Sequence, residues 1–161
     1  MRAISIIVPT LNESDNIEDL VSRISATFRR SGVDYEIVFV DDNSTDGTQQ
    51  TIKNLPKKFP VRLLIKDGER GKAQSLLQGF AAAHYDTICM IDADLQYPPE
   101  AILPMYRLMQ EHNVDVVLTE RQYAHSSWLR QLSSKVFNLA FTQLLFGFNY
   151  DSQSGLKLFK K

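Results

Sequence analysis

Five short apolar runs recur along the chain, and polar segments with helical spacing separate them. Residues 4–8 (ISIIV) form the first run, which Pro9 is expected to stop. Residues 35–40 (YEIVFV), 61–65 (VRLLI), 87–91 (TICMI) and 115–119 (DVVLT) follow as further strands. Between the first two runs, Ile17, Leu20, Val21, Ile24 and Phe28 fall at i, i+3, i+4, i+7 and i+11, an amphipathic helical stripe. Ser14 or Asn16 stands where a cap is wanted, and Gly32 is expected to close that helix. A short helix is expected over residues 48–55, and a third one carries Leu76, Leu77, Phe80 and Ala81 inward. Pro98-Pro99 ends the fourth strand, and Pro99-Glu100 suits the first turn of a helix over 99–112. Ile102, Leu103, Tyr106 and Met109 share one face of it, and near the end Leu156 and Leu158 alternate with Lys157 as a last short strand.

Strands alternating with helices, the strands themselves almost continuously apolar, predict an α/β fold: a mostly parallel sheet with helices on both faces. Ligands of such sheets lie beyond the carboxyl ends of the strands. Three polar segments, residues 9–13, 41–47 and 92–96, each follow a strand end, so all three converge on one edge. Asp92 and Asp94, spaced i, i+2 directly after an apolar strand, point the same way if the chain stays extended, and Gln96 then offers a carbonyl on that side. Two like charges there call for a counter-ion, and a hard divalent cation that keeps waters and a ligand's phosphates fits the donors. The competing reading of that spacing alone is a solvated acidic turn. Gly68-Glu69-Arg70-Gly71-Lys72 reads as a flexible cationic loop before a helix.

Length and composition narrow this picture. At 161 residues, 43% hydrophobic and 23% charged, the chain is expected to form one soluble domain, 1–161. The formal net charge of −1 is uneven, with −6 over residues 1–120 and +5 over 121–161. That divides the domain into an acidic, cation-binding body and a basic, aromatic segment suited to something anionic. The single cysteine, Cys89, lies inside an apolar strand and reads as a buried hydrophobe. It leaves no disulfide within the chain, in keeping with a reducing compartment. The start has no signal-peptide layout, and no apolar run reaches the ~18–20 residues of a bilayer span. Trp128, Phe137, Phe141, Phe146 and Phe148 make residues 126–148 apolar nearly all round, which fits either packing on the sheet or a helix at a membrane surface.

Together the motifs resemble glycosyltransferase family 2. Pro9-Thr10-Leu11-Asn12-Glu13 is similar to its PxxNE opening, Asp41-Asp42-Asn43-Ser44-Thr45-Asp46-Gly47-Thr48 to its DDxSxDGT block, and Asp92-Ala93-Asp94 to its DxD. Asp92-Ala93-Asp94-Leu95-Gln96-Tyr97-Pro98-Pro99-Glu100, Arg121, Arg130 with Ser134, and Asp151-Ser152-Gln153-Ser154-Gly155-Leu156-Lys157 resemble the dolichol-phosphate mannose synthase and polyprenyl-phosphate glycosyltransferase branch. The resemblance implies a GT-A, Rossmann-like nucleotide-sugar fold. Pro9, Leu11, Glu13, Val40 and Asp42 would line the nucleoside pocket, and Lys72 or Arg70 would approach the diphosphate. Asp92, Asp94 and Gln96 would hold Mg²⁺ or Mn²⁺, and Arg121, Arg130 and Ser134 would take the acceptor phosphate. Asp94, Arg121 and Arg130 carry the chemistry in this reading. The implied reaction is inverting transfer of a hexosyl group from a nucleoside-diphosphate sugar to a polyprenyl phosphate, at the cytoplasmic face of a membrane and without nucleic acid. A sugar-hydroxyl acceptor, or a binding module without activity, are the alternatives. The sequence departs from the branch at Leu11, where an aromatic is common, and at DSQSGL, where DxTSGF is expected. It also ends at Lys161, where relatives continue, and so reads as a catalytic core lacking its end.

Overall fold

The computed structural model describes residues 2–119 and 154–161. The element order is β1 (Ala3–Thr10), α1 (Ile17–Phe28), β2 (Asp34–Asp41), α2 (Thr48–Asn54), β3 (Val61–Ile65), α3 (Lys72–Ala82), β4 (Thr87–Ile91), a 3-10 turn (Pro99–Ala101) running into α4 (Ile102–His112), β5 (Val116–Leu118) and β6 (Leu156–Lys160). They build a six-stranded sheet in the order β3-β2-β1-β4-β6-β5. β1 is parallel to β2 and β4, β2 is parallel to β3, and β6 runs antiparallel to β4 with Cys89 opposite Leu158. The chain divides into two compact units, residues 1–117 with 155–161, and residues 118–154. Of the second unit only Leu118, Thr119 and Ser154 are described, and the hydroxyls of Thr119 and Ser154 lie 2.5 Å apart.

The period of two along the strands sorts their side chains onto two covered faces. Ile4, Ile6 and Val8 of β1 join the larger core, with the α1 stripe and with Ile102, Leu103, Met105, Tyr106 and Met109 of α4. Ile7, Val38, Val40 and Ile88 form a smaller core on the other face, against Leu76 and Phe80 of α3. The five stripe residues of α1 are buried, and each apolar side chain of that size contributes on the order of 1.5–3 kcal/mol on burial. Burial of this stripe, not capping, therefore holds the helix: Asn16 is at the N-cap but makes no side-chain capping bond, and donates instead to Glu13 at 2.8 Å.

Three expectations need correction. β1 does not stop at Pro9 but continues to Thr10, with Pro9 opposite Val40. β4 pairs with β1 only through Ile7, so the ring's missing N–H lies beyond that ladder. Gly32 does not close α1, which ends at Phe28, and serves instead in the turn into β2 with φ of 69°. Leu77 and Ala81, both expected inward, are exposed, Leu77 to 59%, because α3 turns Ser75 and Gly79 to the sheet. A Cβ at Gly79 would collide with Ile7 Cγ2, so a larger residue there would push α3 off β1.

Candidate functional site

The carboxyl ends of β1 and β2 are laced together before any ligand is considered. Asn12 stands in the left-handed region, φ 57°, so its side-chain oxygen accepts from Thr45 N at 2.9 Å while its own N–H donates to Ser44 Oγ at 2.9 Å. Glu13 N donates to Thr48 Oγ1 at 2.9 Å. Asp46 accepts from Thr48 Oγ1 at 2.6 Å, from Thr48 N and from Ser14 N at 3.0 Å, and these donors hold its carboxyl well below the usual range. Asp41, fully buried, accepts from Thr10, Ser44 and Gln49. Most polar groups of the second motif are thus spent on holding the first motif in shape. Asp42 is the exception, because it faces the other way, into a cavity.

That cavity measures about 230 Å³ and is lined by Pro9, Thr10, Leu11, Glu13, Asp42, Gly71, Lys72, Ser75, Asp92, Ala93 and Asp94. It lies at the ends of β1, β2 and β4, where the strand order reverses between β1 and β4. Of the nucleoside and diphosphate candidates, Pro9, Leu11, Glu13, Asp42, Lys72 and Asp92 all meet here, together with Asp94. Val40 and Arg70 are not among the lining residues: Val40 is fully buried in the smaller core, and Arg70 is exposed on the loop. Gln96 does not join Asp92 and Asp94 on an extended strand. Leu95 takes φ of 58°, the chain bends, and Gln96 N turns back to donate to Asp94 Oδ1 at 3.1 Å. Arg121, Arg130 and Ser134, and the aromatic residues from Trp128 to Phe148, lie outside the described residues.

Charge is distributed around the cavity in two ion pairs. Lys72 Nζ stands 2.6 Å from Asp92 Oδ1, both side chains partly open to solvent. Lys66 Nζ stands 2.7 Å from Asp42 Oδ1, both side chains buried; the contact is an ion pair off the line of a good hydrogen bond. The Lys66 ammonium holds Asp42 below the ordinary carboxylate range against the opposing effect of burial, and Gly71 N–H and the Arg70 charge act with it. The donor set at Asp92 and Asp94 suits a cation. Two hard oxygen donors face the cavity, an ammonium already sits on one of them, and among the described residues no third acid, His or Cys converges there. Two carboxylates plus water and phosphate oxygens is the Mg²⁺-like pattern, not that of a closed structural site. Cys89 takes no part: it is buried, and burial pushes its thiol up.

Sequence reasoning missed Lys66, Ser75 and Gly155. Lys66 directly follows the third apolar run, the same position relative to a strand that marks Asp42 and Asp92, and that signal was readable. Gly155 brings the start of β6 against the site: a Cβ there would stand 2.5 Å from Asp92 Oδ2 and 2.9 Å from Tyr97 Cε2. The glycine of the partly matched DSQSGL segment is therefore a contact requirement.

Known proteins share both sequence and fold with the chain. A dolichol-phosphate mannosyltransferase of Pyrococcus furiosus is 42% identical over 99 residues, 62% of this chain and 28% of that protein. An undecaprenyl-phosphate 4-deoxy-4-formamido-L-arabinose transferase of Pseudomonas fluorescens is 35% identical over 142 residues, 87% of this chain and 42% of that one. The chain thus spans less than half the length of these curated relatives. Mannosyl-3-phosphoglycerate synthase from Rubrobacter xylanophilus superposes with a TM-score of 0.74 at 21% identity, over 98% of this chain and 53% of that structure. Glucosyl-3-phosphoglycerate synthase from Mycobacterium tuberculosis, solved with Mn²⁺, UDP-glucose and phosphoglyceric acid, gives 0.71 at 23% identity, over 99% and 56%. These two structures speak for the fold, which is the GT-A glycosyltransferase fold expected from the sequence. Residues 5–159 match Glycosyl transferase family 2, and with nearly the whole chain covered, the protein belongs to that family.

Proposed function

We propose that the cavity binds a nucleoside-diphosphate sugar together with Mg²⁺ or Mn²⁺, and that the protein transfers the hexosyl group to a polyprenyl phosphate with inversion. One observation carries this reading: the ends of three strands bring a buried acceptor carboxylate, an exposed ammonium and paired carboxylates to one cavity. Each meets a different part of such a donor. Asp42, kept ionised by Lys66, accepts hydrogen bonds from N–H groups of the base or hydroxyls of the ribose, and Leu11, half exposed at the cavity, offers an apolar surface. Lys72 meets the diphosphate as a point charge, and Asp92 and Asp94 hold the metal. When bound, that metal neutralises charge developing on the departing diphosphate.

The acceptor side rests on the names of the sequence relatives and on residues outside the described part. Both relatives act, by name, on a polyprenyl or dolichyl phosphate, and Arg121, Arg130 and Ser134 are the candidates to hold that phosphate. A phosphate monoester, with its second pKa near ~6, is already largely ionised at neutral pH, so the transfer needs no strong base from the protein. Association with the cytoplasmic face of a membrane belongs to the same reading; among the described residues no helix is long and apolar enough to cross one. The test is transfer from labelled GDP-mannose and UDP-glucose with and without polyprenyl phosphate, at Mn²⁺ and at EDTA. Label in lipid only with metal present supports the assignment. Label moving to a sugar hydroxyl, or hydrolysis alone, rejects the lipid acceptor.

A further inference from the structure

We propose that Lys66 is a positioning residue of the nucleotide site, whose buried ammonium fastens the loop 68–72 to the end of β2 and so fixes Asp42 and Lys72 relative to one another. The inference rests on the reading of the cavity as a nucleotide site, and its geometry is a closed ring. Lys66 Nζ stands 2.7 Å from Asp42 Oδ1 and donates to Gly71 O at 3.1 Å, while Gly71 N donates to Asp42 Oδ2 at 2.8 Å. One residue, Gly71, is therefore gripped on both sides, by the ammonium at its carbonyl and by the carboxylate at its N–H. The same carbonyl accepts from Ser75 N at 3.2 Å, which joins the ring to the first turn of α3. Lys66 is itself anchored: its N–H donates to Asp41 O at 2.9 Å, and its carbonyl accepts from Asn43 Nδ2 at 3.2 Å. It is 1% exposed, so it does not reach into the cavity and acts only through its neighbours.

The next residue after Gly71 is Lys72, whose ammonium meets Asp92 on the far side of the cavity. Loss of the Lys66 ammonium would release Gly71 and with it Lys72, and would leave Asp42 buried without its paired cation. A buried ion pair is poor evidence for stability, since matched apolar residues often serve a fold equally well. What this pair supplies is a fixed distance between a base-side acceptor and a phosphate-side cation.

Calorimetry with GDP, UDP and the free nucleosides in Mn²⁺, on wild type, Lys66→Met, Asp42→Ala, Lys72→Ala and the doubles of Lys66→Met with each, tests the proposal. Lys66→Met should weaken nucleoside-diphosphate binding about tenfold or more. It should add less than about threefold when Asp42 or Lys72 is already replaced, which a purely structural role would not produce. Hydrogen exchange gives a readout without ligand: the amides of 68–72 should exchange at least about tenfold faster in Lys66→Met, with the β1–β2 ladder unchanged. Should Lys66→Met not fold, Lys66→Gln, which keeps a donor, is read in the same way. Wild-type affinity in the folded variant, additive doubles, or unaltered exchange over 68–72 overturns the role of Lys66. A wild-type chain that binds no nucleoside diphosphate overturns the reading of the cavity instead, and the exchange data still decide whether Lys66 grips the loop.

Discussion

Lys66 and Lys72 flank the same five-residue stretch, and each sits on an aspartate from a different motif, yet the two pairs are opposites. Lys66–Asp42 is closed off from water, whereas Lys72 has 52% and Asp92 24% of its side chain exposed. Solvent decides what each pair can do. A buried charge cannot change partner without stranding the other, so the first pair is permanent. An exposed pair is held by little, on the order of 0–1 kcal/mol, so the second can exchange. In the proposed reading the permanent pair builds the site, and the exchangeable pair is where ligands would enter it: a metal would take Asp92 while a diphosphate takes Lys72.

Several variants would sharpen or break this contrast. Removing the paired carboxylates should have the largest effect: Asp94→Asn should abolish the Mn²⁺-dependent part of nucleoside-diphosphate binding while circular dichroism stays that of the wild type. Stability should separate the lysines next. Lys66→Met leaves Asp42 buried and unpaired, costing about 3–5 kcal/mol in urea unfolding, against about 0–1 kcal/mol for Lys72→Met. Equal losses would dissolve the distinction. Asp42→Ala should weaken nucleoside binding by on the order of 1–3 kcal/mol, the penalty for stranding a ligand's polar groups. Lys72→Ala should act in two directions, weakening nucleoside-diphosphate binding while raising the affinity for Mn²⁺ alone by about two- to fivefold, because the exposed ammonium no longer competes for Asp92. No gain for the metal alone would mean that the two cations do not share that carboxylate.

The smallest effect expected is on acid stability. Asp42 and Asp46 have folded-state pKa values lowered below those of the open chain. Stability from them is therefore fully present above the unfolded value near ~4 and is lost as pH falls through the folded values. Thermal unfolding should be flat from neutral pH to about 5 and decline below about 4. Asp46→Asn should remove part of that decline, and an unchanged acid slope would be incompatible with the hydrogen bonds assigned to it.

Much of the arrangement was legible in the residues themselves. The strand–helix alternation, the stripe of α1, the apolar face of α4 and the convergence of three motifs on one edge follow from periodicity and from where polar residues succeed apolar runs. What was not legible depended on contacts between distant segments. Pro9 stays in β1 because β4 pairs only as far as Ile7, a matter of register that no local preference encodes. Leu77 lies outside because Gly79 allows α3 to approach Ile7 closely, so the buried face is set by a missing side chain. Gln96 leaves the carboxylate side because Leu95 adopts a left-handed backbone that leucine seldom favours. The place of Lys66 directly after a strand was readable, but its role was not, because only the fold reveals Asp42 and Gly71 around it.

The most direct measurement is a calorimetric titration of GDP and UDP into the wild-type chain, first in Mn²⁺ and then in excess EDTA. A metal-dependent nucleotide site between the paired carboxylates and Lys72 requires binding of at least one of the two that is lost or weakened by ten-fold or more, roughly 1.4 kcal/mol, when the metal is removed. Equal affinity in Mn²⁺ and in EDTA, or no binding of either in Mn²⁺, would leave the cavity without the role assigned to it.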